Sequence, residues 1–310
     1  MRTVLRALRF ELHVTIPPEL ALEEAKRLNL GTLLAAKRRS RRLSWVCGSQ
    51  HNWKSVRIWA GIGAAVMRIA IVSDIHGNRT AFEAVLADLR QTSPDLILHG
   101  GDLADVGASP AEIVDRIRDL GWKGVTGNGE EALSMPEQLE EFARQSSAPP
   151  SLWAAIREMM GATRALLGEE RIGWLRRLPR VQIQGLVALV HASPESPWRS
   201  PGPEASDSEL KSVYGGLGRA IVIYGHIHRP FIRSVPCPQN TEMLVANSGS
   251  VSLSYDGDCR AAYLLLDDSE PTIRRVEYDV GKELKALSTS GLPHSDWIAR
   301  TLRSGSPQMP

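Results

Sequence analysis

Arg68-Ile69-Ala70-Ile71-Val72-Ser73 runs directly into Asp74-Ile75-His76-Gly77-Asn78, and these eleven residues set the reading of the chain. The first six are an apolar, β-branched run of the kind that makes a short buried strand. The next five, mostly polar and containing a glycine, make a loop. Thr80 to about Thr92 carries helical periodicity through Phe82, Val85, Leu86 and Leu89. Leu96–Leu98 reads as a second strand, ending at Gly100-Gly101-Asp102. A helix starts at Ser109, with Ser as N-cap, Pro110 in the first turn and Glu112 completing a capping box. Lys123–Thr126 is a third strand, ending at Gly127-Asn128. This alternation of strand and helix predicts a layered α/β domain.

Downstream, residues 130–178 form a helical insertion with Trp153, Ile156, Met159, Met160, Ile172, Trp174 and Leu175 as its core stripe. After Pro179 the pattern turns to strands at Val181–Ile183, Leu186–Val190, Ala220–Tyr224, Met243–Ala246, Ala261–Leu266 and Thr272–Tyr278. Residues 193–210 read as a loop that leads into a helix near Ser208–Leu217. The domain spans 67–285 in this reading, and 286–310 is a C-terminal tail, frayed beyond Gly291 where Ser, Pro and Gly accumulate.

Several strands end in residues that ligate metals: Asp74-Ile75-His76, Gly101-Asp102, Gly127-Asn128, His191, and Gly225-His226-Ile227-His228. Strand ends on one edge of a sheet converge, so these residues can share one pocket. Four of the eight histidines and two aspartates meet there. Imidazole, carboxylate and amide together suit Mn²⁺, Fe²⁺/³⁺, Zn²⁺ or Ni²⁺ better than a thiolate site does. Each fragment alone is common. Five of them in this order, each closing an apolar strand, point to metal binding.

The series D-x-H, G-D, G-N-x-[DE], H, G-H-x-H resembles the calcineurin-like metallophosphoesterases over about Met67 to Val280. His191-Ala192-Ser193-Pro194 and Asn247-Ser248-Gly249-Ser250-Val251 resemble its small bacterial phosphodiesterase/phosphatase branch. The resemblance implies a four-layer α/β/β/α sandwich, two mixed sheets face to face with helices outside. It also implies that Asp74, His76 and His228 hold one divalent ion, that Asn128, His191 and His226 hold a second, and that Asp102 bridges them. Asp74, Asp102, Asn128 and His191 then act through the metals, on a hydroxide shared by ions about 3.5–4 Å apart. The implied substrates are phosphate mono- or diesters, nucleotides among them. A protein or dinucleoside-polyphosphate phosphatase is an alternative within the class. A non-catalytic metal-binding scaffold is the alternative outside it.

The sequence departs from the family at one place. Gly127-Asn128-Gly129-Glu130 puts glycine where relatives carry a histidine that steadies the transition state and helps protonate the leaving oxygen. General acid help is typically worth about 10²–10⁴ in rate, so aryl esters and diesters with good leaving groups are the expected substrates. His99 could supply an imidazole if it faces the pocket, or it could be packing. Asn78 could touch substrate phosphate or cap the following helix. Arg229 could meet an anionic substrate or form a surface ion pair.

Residues 1–66 differ from the rest. They hold 12 Lys and Arg against 4 Asp and Glu, a balance of +8, while the remainder holds 25 against 31, a balance of −6. The segment is expected to be a poorly ordered basic extension, or to lie outside the native protein with Met67 as its initiator. An acidic body argues against a nucleic-acid groove across the main domain. Cys47, Cys237 and Cys259 form no CxxC pair, which suits a reducing compartment. Ile58–Met67, the longest early apolar run, is about half a membrane span. The protein is therefore expected to be cytoplasmic, with no membrane association.

Overall fold

The structure is a computed structural model that describes residues 67–310; the basic extension and the readings placed on it lie outside the described residues. β1 (Ile69–Val72) leads through the Asp74 loop to α1 (Arg79–Thr92), whose buried face is Ala81, Phe82, Val85, Leu86 and Leu89. The alternation continues with β2 (Leu96–His99), α2 (Pro110–Asp119) and β3 (Lys123–Gly124). The helical insertion is three helices: α3 (Asn128–Ser134), α4 (Pro136–Gln145) and α5 (Pro150–Leu175). Proline opens α4 and α5, where a missing N–H costs nothing. β4 (Val181–Gln184), β5 (Val187–Val190), α6 (Asp207–Tyr214) and β6 (Ile221–Tyr224) follow. β7 (Phe231–Pro236), β8 (Glu242–Asn247), β9 (Ala261–Asp267) and β10 (Glu270–Val276) complete the strands, and α7 (Val280–Thr289) and α8 (Ser295–Ser304) close the chain.

Two five-stranded sheets result, in the orders β10-β9-β1-β2-β3 and β4-β5-β6-β8-β7. β1, β2 and β3 run parallel in the first, and β5, β6 and β8 in the second; antiparallel strands flank them. The two-residue period of β1 sorts its side chains between layers. Ile69 and Ile71 join Leu98, Leu189, Ile223 and Leu264 between the sheets. Ala70 and Val72 face the other way, onto Phe82, Val85 and the helical insertion. Tyr214 of α6 packs on Val190, Val222 and Val245 outside the second sheet. The architecture is the four-layer α/β/β/α sandwich, two mixed sheets flanked by helices.

The expected core stripe of the insertion is buried at Trp153, Met159, Met160, Ile172 and Leu175. Four details differ from expectation. Ser109 is the α2 N-cap, but its side chain makes no cap hydrogen bond, so the capping box is not formed. β3 stops at Gly124 rather than Thr126. β7 was not expected; it is an edge strand with one face open, and such strands carry weak apolar alternation. The tail is not frayed, because α8 buries Ile298, Ala299 and Leu302. No helix among the described residues is long and apolar enough to cross a membrane.

Candidate metal centre

The parallel strands of both sheets end on the same side of the molecule. β1 delivers Asp74 and His76, β2 delivers Asp102, and the β3–α3 junction delivers Asn128. From the second sheet β5 delivers His191, and β6 delivers His226 and His228. Backbone bonds tie the loops together: Asp74 N donates to Gly101 O (3.0 Å) and His76 N to Asp102 O (2.9 Å). Five of the seven expected ligands, Asp74, His76, Asp102, His226 and His228, have positive φ, between 49° and 69°. Such conformations cost on the order of 1–3 kcal/mol each and persist where the surroundings impose them. Their clustering at these residues marks the centre independently of side-chain type.

The side chains converge in two groups. Asp74, His76 and His228 offer one donor atom each within 4.8 Å of one another, and so do Asp74, Asp102 and His191. Asp74 thus stands within reach of both groups. Three imidazoles have their Nδ1 committed: His76 to Asp105 Oδ2 (2.9 Å), His191 to Gly100 O (2.7 Å) and His228 to Leu253 O (2.7 Å). A ring that donates from Nδ1 presents an Nε2 lone pair, the arrangement of metal-ligating histidines. His76 Nε2 and His228 Nε2 face each other at 3.1 Å. Asn128 Oδ1 likewise sits 3.0 Å from His191 Nε2 and 2.8 Å from His226 Nδ1. With both Nδ1 atoms donating, the Nε2 lone pairs of His76 and His228 would repel unless a proton or a cation lay between them, so the donor set fits metal ions.

The electrostatics agree. Burial alone would raise the Asp74 carboxyl, but the His228 and His191 imidazoles outweigh it and hold the group below its ordinary range. Asp102 is likewise held low against burial, chiefly by His191. Burial works against a charge on His76, yet Asp105 carries it up to about 9; Asp102 does the same for His191, up to about 10. His226 is pushed down to about 4 by burial and by the His191 charge. The buried carboxylates thus favour positive charge at His76 and His191, the charge that a bound cation would supply instead.

Asp105 is a candidate site residue absent from the sequence reading. It is 4% exposed, orients His76 and forms a third convergent set with His76 and Asp102. Its position three residues after Asp102 was the available signal. Glu130 is buried too, and its carboxylate accepts from Asp102 N (2.8 Å), Leu103 N (2.7 Å) and Gly127 N (2.7 Å). Burial, with Asp102 and Asp105 nearby, raises it to about 7.

Asn78 does not line the site. Its Oδ1 caps α1 through Ala81 N (2.9 Å), its Nδ2 donates to Ser252 Oγ (3.2 Å), and 1% of the residue is exposed. Of the two roles expected for Asn78, these contacts show the helix cap. Arg229 is exposed, its Nε donates to Tyr255 O (2.9 Å), and it forms no ion pair among the described residues. His99 is fully buried near Trp174, with no partner on either ring nitrogen, and burial pushes it down to about 3. It is packing.

Residues 67–270 match the calcineurin-like phosphoesterase superfamily domain. The chain is 31% identical over 256 residues to the uncharacterized protein MJ0912 of Methanocaldococcus jannaschii, covering 76% of this chain and 98% of that protein. A metallophosphoesterase from Sphaerobacter thermophilus superposes with a TM-score of 0.63 at 26% identity, over 78% of this chain and all of that one. The hypothetical protein PH1004 from Pyrococcus horikoshii shares the fold, with a TM-score of 0.65 at 17% identity over 78% of this chain and 99% of its own. Matched over most of its length and carrying convergent Asp and His clusters at its strand ends, the chain belongs to the calcineurin-like phosphoesterase superfamily.

Proposed function

We propose that this protein is a metal-dependent phosphoric ester hydrolase that holds two divalent ions and cleaves phosphate mono- or diesters. The observation that supports this most directly is the convergence of ligand atoms, His76 Nε2 on His228 Nε2 and Asn128 Oδ1 on His191 Nε2 and His226 Nδ1. Asp74, His76 and His228 would hold one ion, Asn128, His191 and His226 the other, with Asp102 between them. When bound, such ions make an attacking hydroxide available near neutral pH and polarise the phosphoryl oxygens.

The chain's own contribution is positioning. The bonds to Asp105, Gly100 O and Leu253 O fix three rings before any substrate arrives. Arg229, anchored by Nε, keeps its remaining N–H groups for an anionic substrate. Gly129 contributes no side chain to the leaving oxygen, so esters of good leaving groups are the favoured substrates. Pocket walls and specificity fall to the 130–178 insertion and the 193–210 loop. The free thiols of Cys237 and Cys259 support a reducing compartment, the cytoplasm.

The test is hydrolysis of bis-p-nitrophenyl phosphate and p-nitrophenyl phosphate by protein stripped of metal and refilled with Mn²⁺, beside an Asp102→Ala control. Metal-dependent turnover that the substitution abolishes is the expected result, with the diester cleaved at least as well as the monoester. Two bound ions without turnover of either ester would replace the enzyme with a metal-binding scaffold.

A further inference from the structure

Tyr255 lies against the metal centre. Its ring stacks on the His228 imidazole, with centroids 4.5 Å apart and 22° between the planes. The surrounding backbone fixes this contact: Tyr255 N donates to His228 O (3.2 Å), Arg229 Nε donates to Tyr255 O (2.9 Å), and His228 Nδ1 donates to Leu253 O (2.7 Å). Residues 253–255 and 228–229 therefore hold each other in register, and the tyrosine cannot drift without moving a ligand.

The hydroxyl is the unexplained part. Tyr214, Tyr224 and Tyr263 each donate to a protein acceptor, Ala192 O, Pro201 O and Asp88 Oδ2 respectively, and Tyr278 has Asn78 beside it. Tyr255 has no hydroxyl partner among the described residues, and it is partly open to solvent where these others are bound up. A fully buried phenol ordinarily finds a protein partner for its O–H; one that opens to solvent keeps its donor for whatever binds there. The ring is thus fixed against the imidazole of a proposed metal ligand, and its hydroxyl donates to no protein group among the described residues.

We infer that Tyr255 is a substrate-binding residue, whose hydroxyl donates a hydrogen bond to a non-bridging phosphoryl oxygen of the ester bound over His76 and His228. This rests on the phosphoesterase reading. It adds a donor that belongs to this chain and is supplied by the segment after β8, outside the metal-ligand motifs. The ring steadies His228, and the hydroxyl reads the phosphate.

Tyr255→Phe in the full-length, Mn²⁺-loaded protein separates these two parts, because it keeps the ring and removes the donor. A hydrogen bond to a charged group corresponds to about 10- to 100-fold. The variant is expected to lose that factor in kcat/KM for bis-p-nitrophenyl phosphate and to bind inorganic phosphate more weakly by a similar factor. Its Mn²⁺ content by elemental analysis and its metal-free melting temperature should stay at wild-type values. Kinetics and phosphate binding within about two-fold of wild type would overturn the inference. So would loss of Mn²⁺ from the Phe variant, which would make the hydroxyl part of the metal site. If the wild type itself turns over neither ester, the phosphoesterase reading fails separately. Calorimetric titration of both Mn²⁺-loaded proteins with phosphate then decides: weaker binding by the Phe variant supports the donor, and equal binding rejects it.

Discussion

A Cβ placed on Gly129 would overlap Asp105 Oδ1 and stand 2.6 Å from Asp105 Cγ and 3.0 Å from Asp102 Oδ1. Asp105 cannot yield freely, because its other oxygen holds His76 Nδ1 at 2.9 Å. Glycine at this position is therefore tied to how the His76 ring is aimed, as well as to the imidazole it lacks. Gly129→Ala should push Asp105 off His76 and weaken Mn²⁺ binding by about 10- to 100-fold, the usual effect of losing such an outer partner. Calorimetric titration of the metal-free variant measures this; wild-type affinity would mean that Asp105 swings aside at no cost to His76. Six of the seven expected ligands were legible because Asp and His at the ends of apolar strands have few other uses in such number, and Asn128 because it sits between glycines where a strand stops. Asp105 was not legible, since its value comes from meeting a ring nitrogen across a loop. Asn78 was ambiguous for a related reason: the same amide serves a cap or a phosphate, and burial decides between them.

Among the elements, those that feed the centre are the ones most plainly written in the chain. β1 and α1 announce themselves through an apolar, β-branched run followed by period 3.6, and both are built on residues the core encloses. α8 is harder, because Ser, Pro and Gly around it mask a short apolar face made by Ile298, Ala299 and Leu302. Leu302 is 3% exposed and packs in the same core cluster as Phe82 and Tyr263, and this determines what its removal should do. Leu302→Ala should cost about 2–5 kcal/mol, as for other buried leucines. In a body of this size that corresponds to a melting temperature lower by roughly 5–15 °C. Scanning calorimetry of the metal-free protein reads the shift, and an unchanged transition would return the last twenty residues to the status of a dispensable tail. β7 is illegible for a different reason: Ile232 stands on its open face beside Ser234 and Pro236, which breaks the apolar alternation, and its pairing with β8 depends on a neighbour distant from the turn signals.

At the scale of the molecule, the two sheets are joined in two unlike ways. Along their length Ile71, Leu98, Leu189, Ile223 and Leu264 form an apolar layer that needs no partner other than itself. At the strand ends the join is polar: Asp74, His76, Asp102 and Asn128 come from the first sheet, and His191, His226 and His228 from the second. The four-layer plan was readable only through resemblance, because alternation along a chain shows that strands exist and not which sheet each enters. Closure of the polar edge depends on what neutralises it. Asp74, Asp102 and Asp105 are each no more than 4% exposed, and without cations the charge on Asp74 and Asp102 is met by the histidines and by the backbone N–H groups of His226 and Gly129. Ions that bind here act as ligands of the folded state alone, since the unfolded chain scatters the seven residues. Linkage then requires the melting temperature to climb with the logarithm of free Mn²⁺, by about 2.7 kcal/mol of stability at a hundred times the dissociation constant. Comparing scans in chelator and in graded Mn²⁺ should show this climb, and Asp102→Ala, which removes the carboxylate proposed to stand between the two sets, should flatten it. A melting temperature indifferent to Mn²⁺ in the wild type would mean that the apolar layer alone sets the stability and that the polar edge is held without metal.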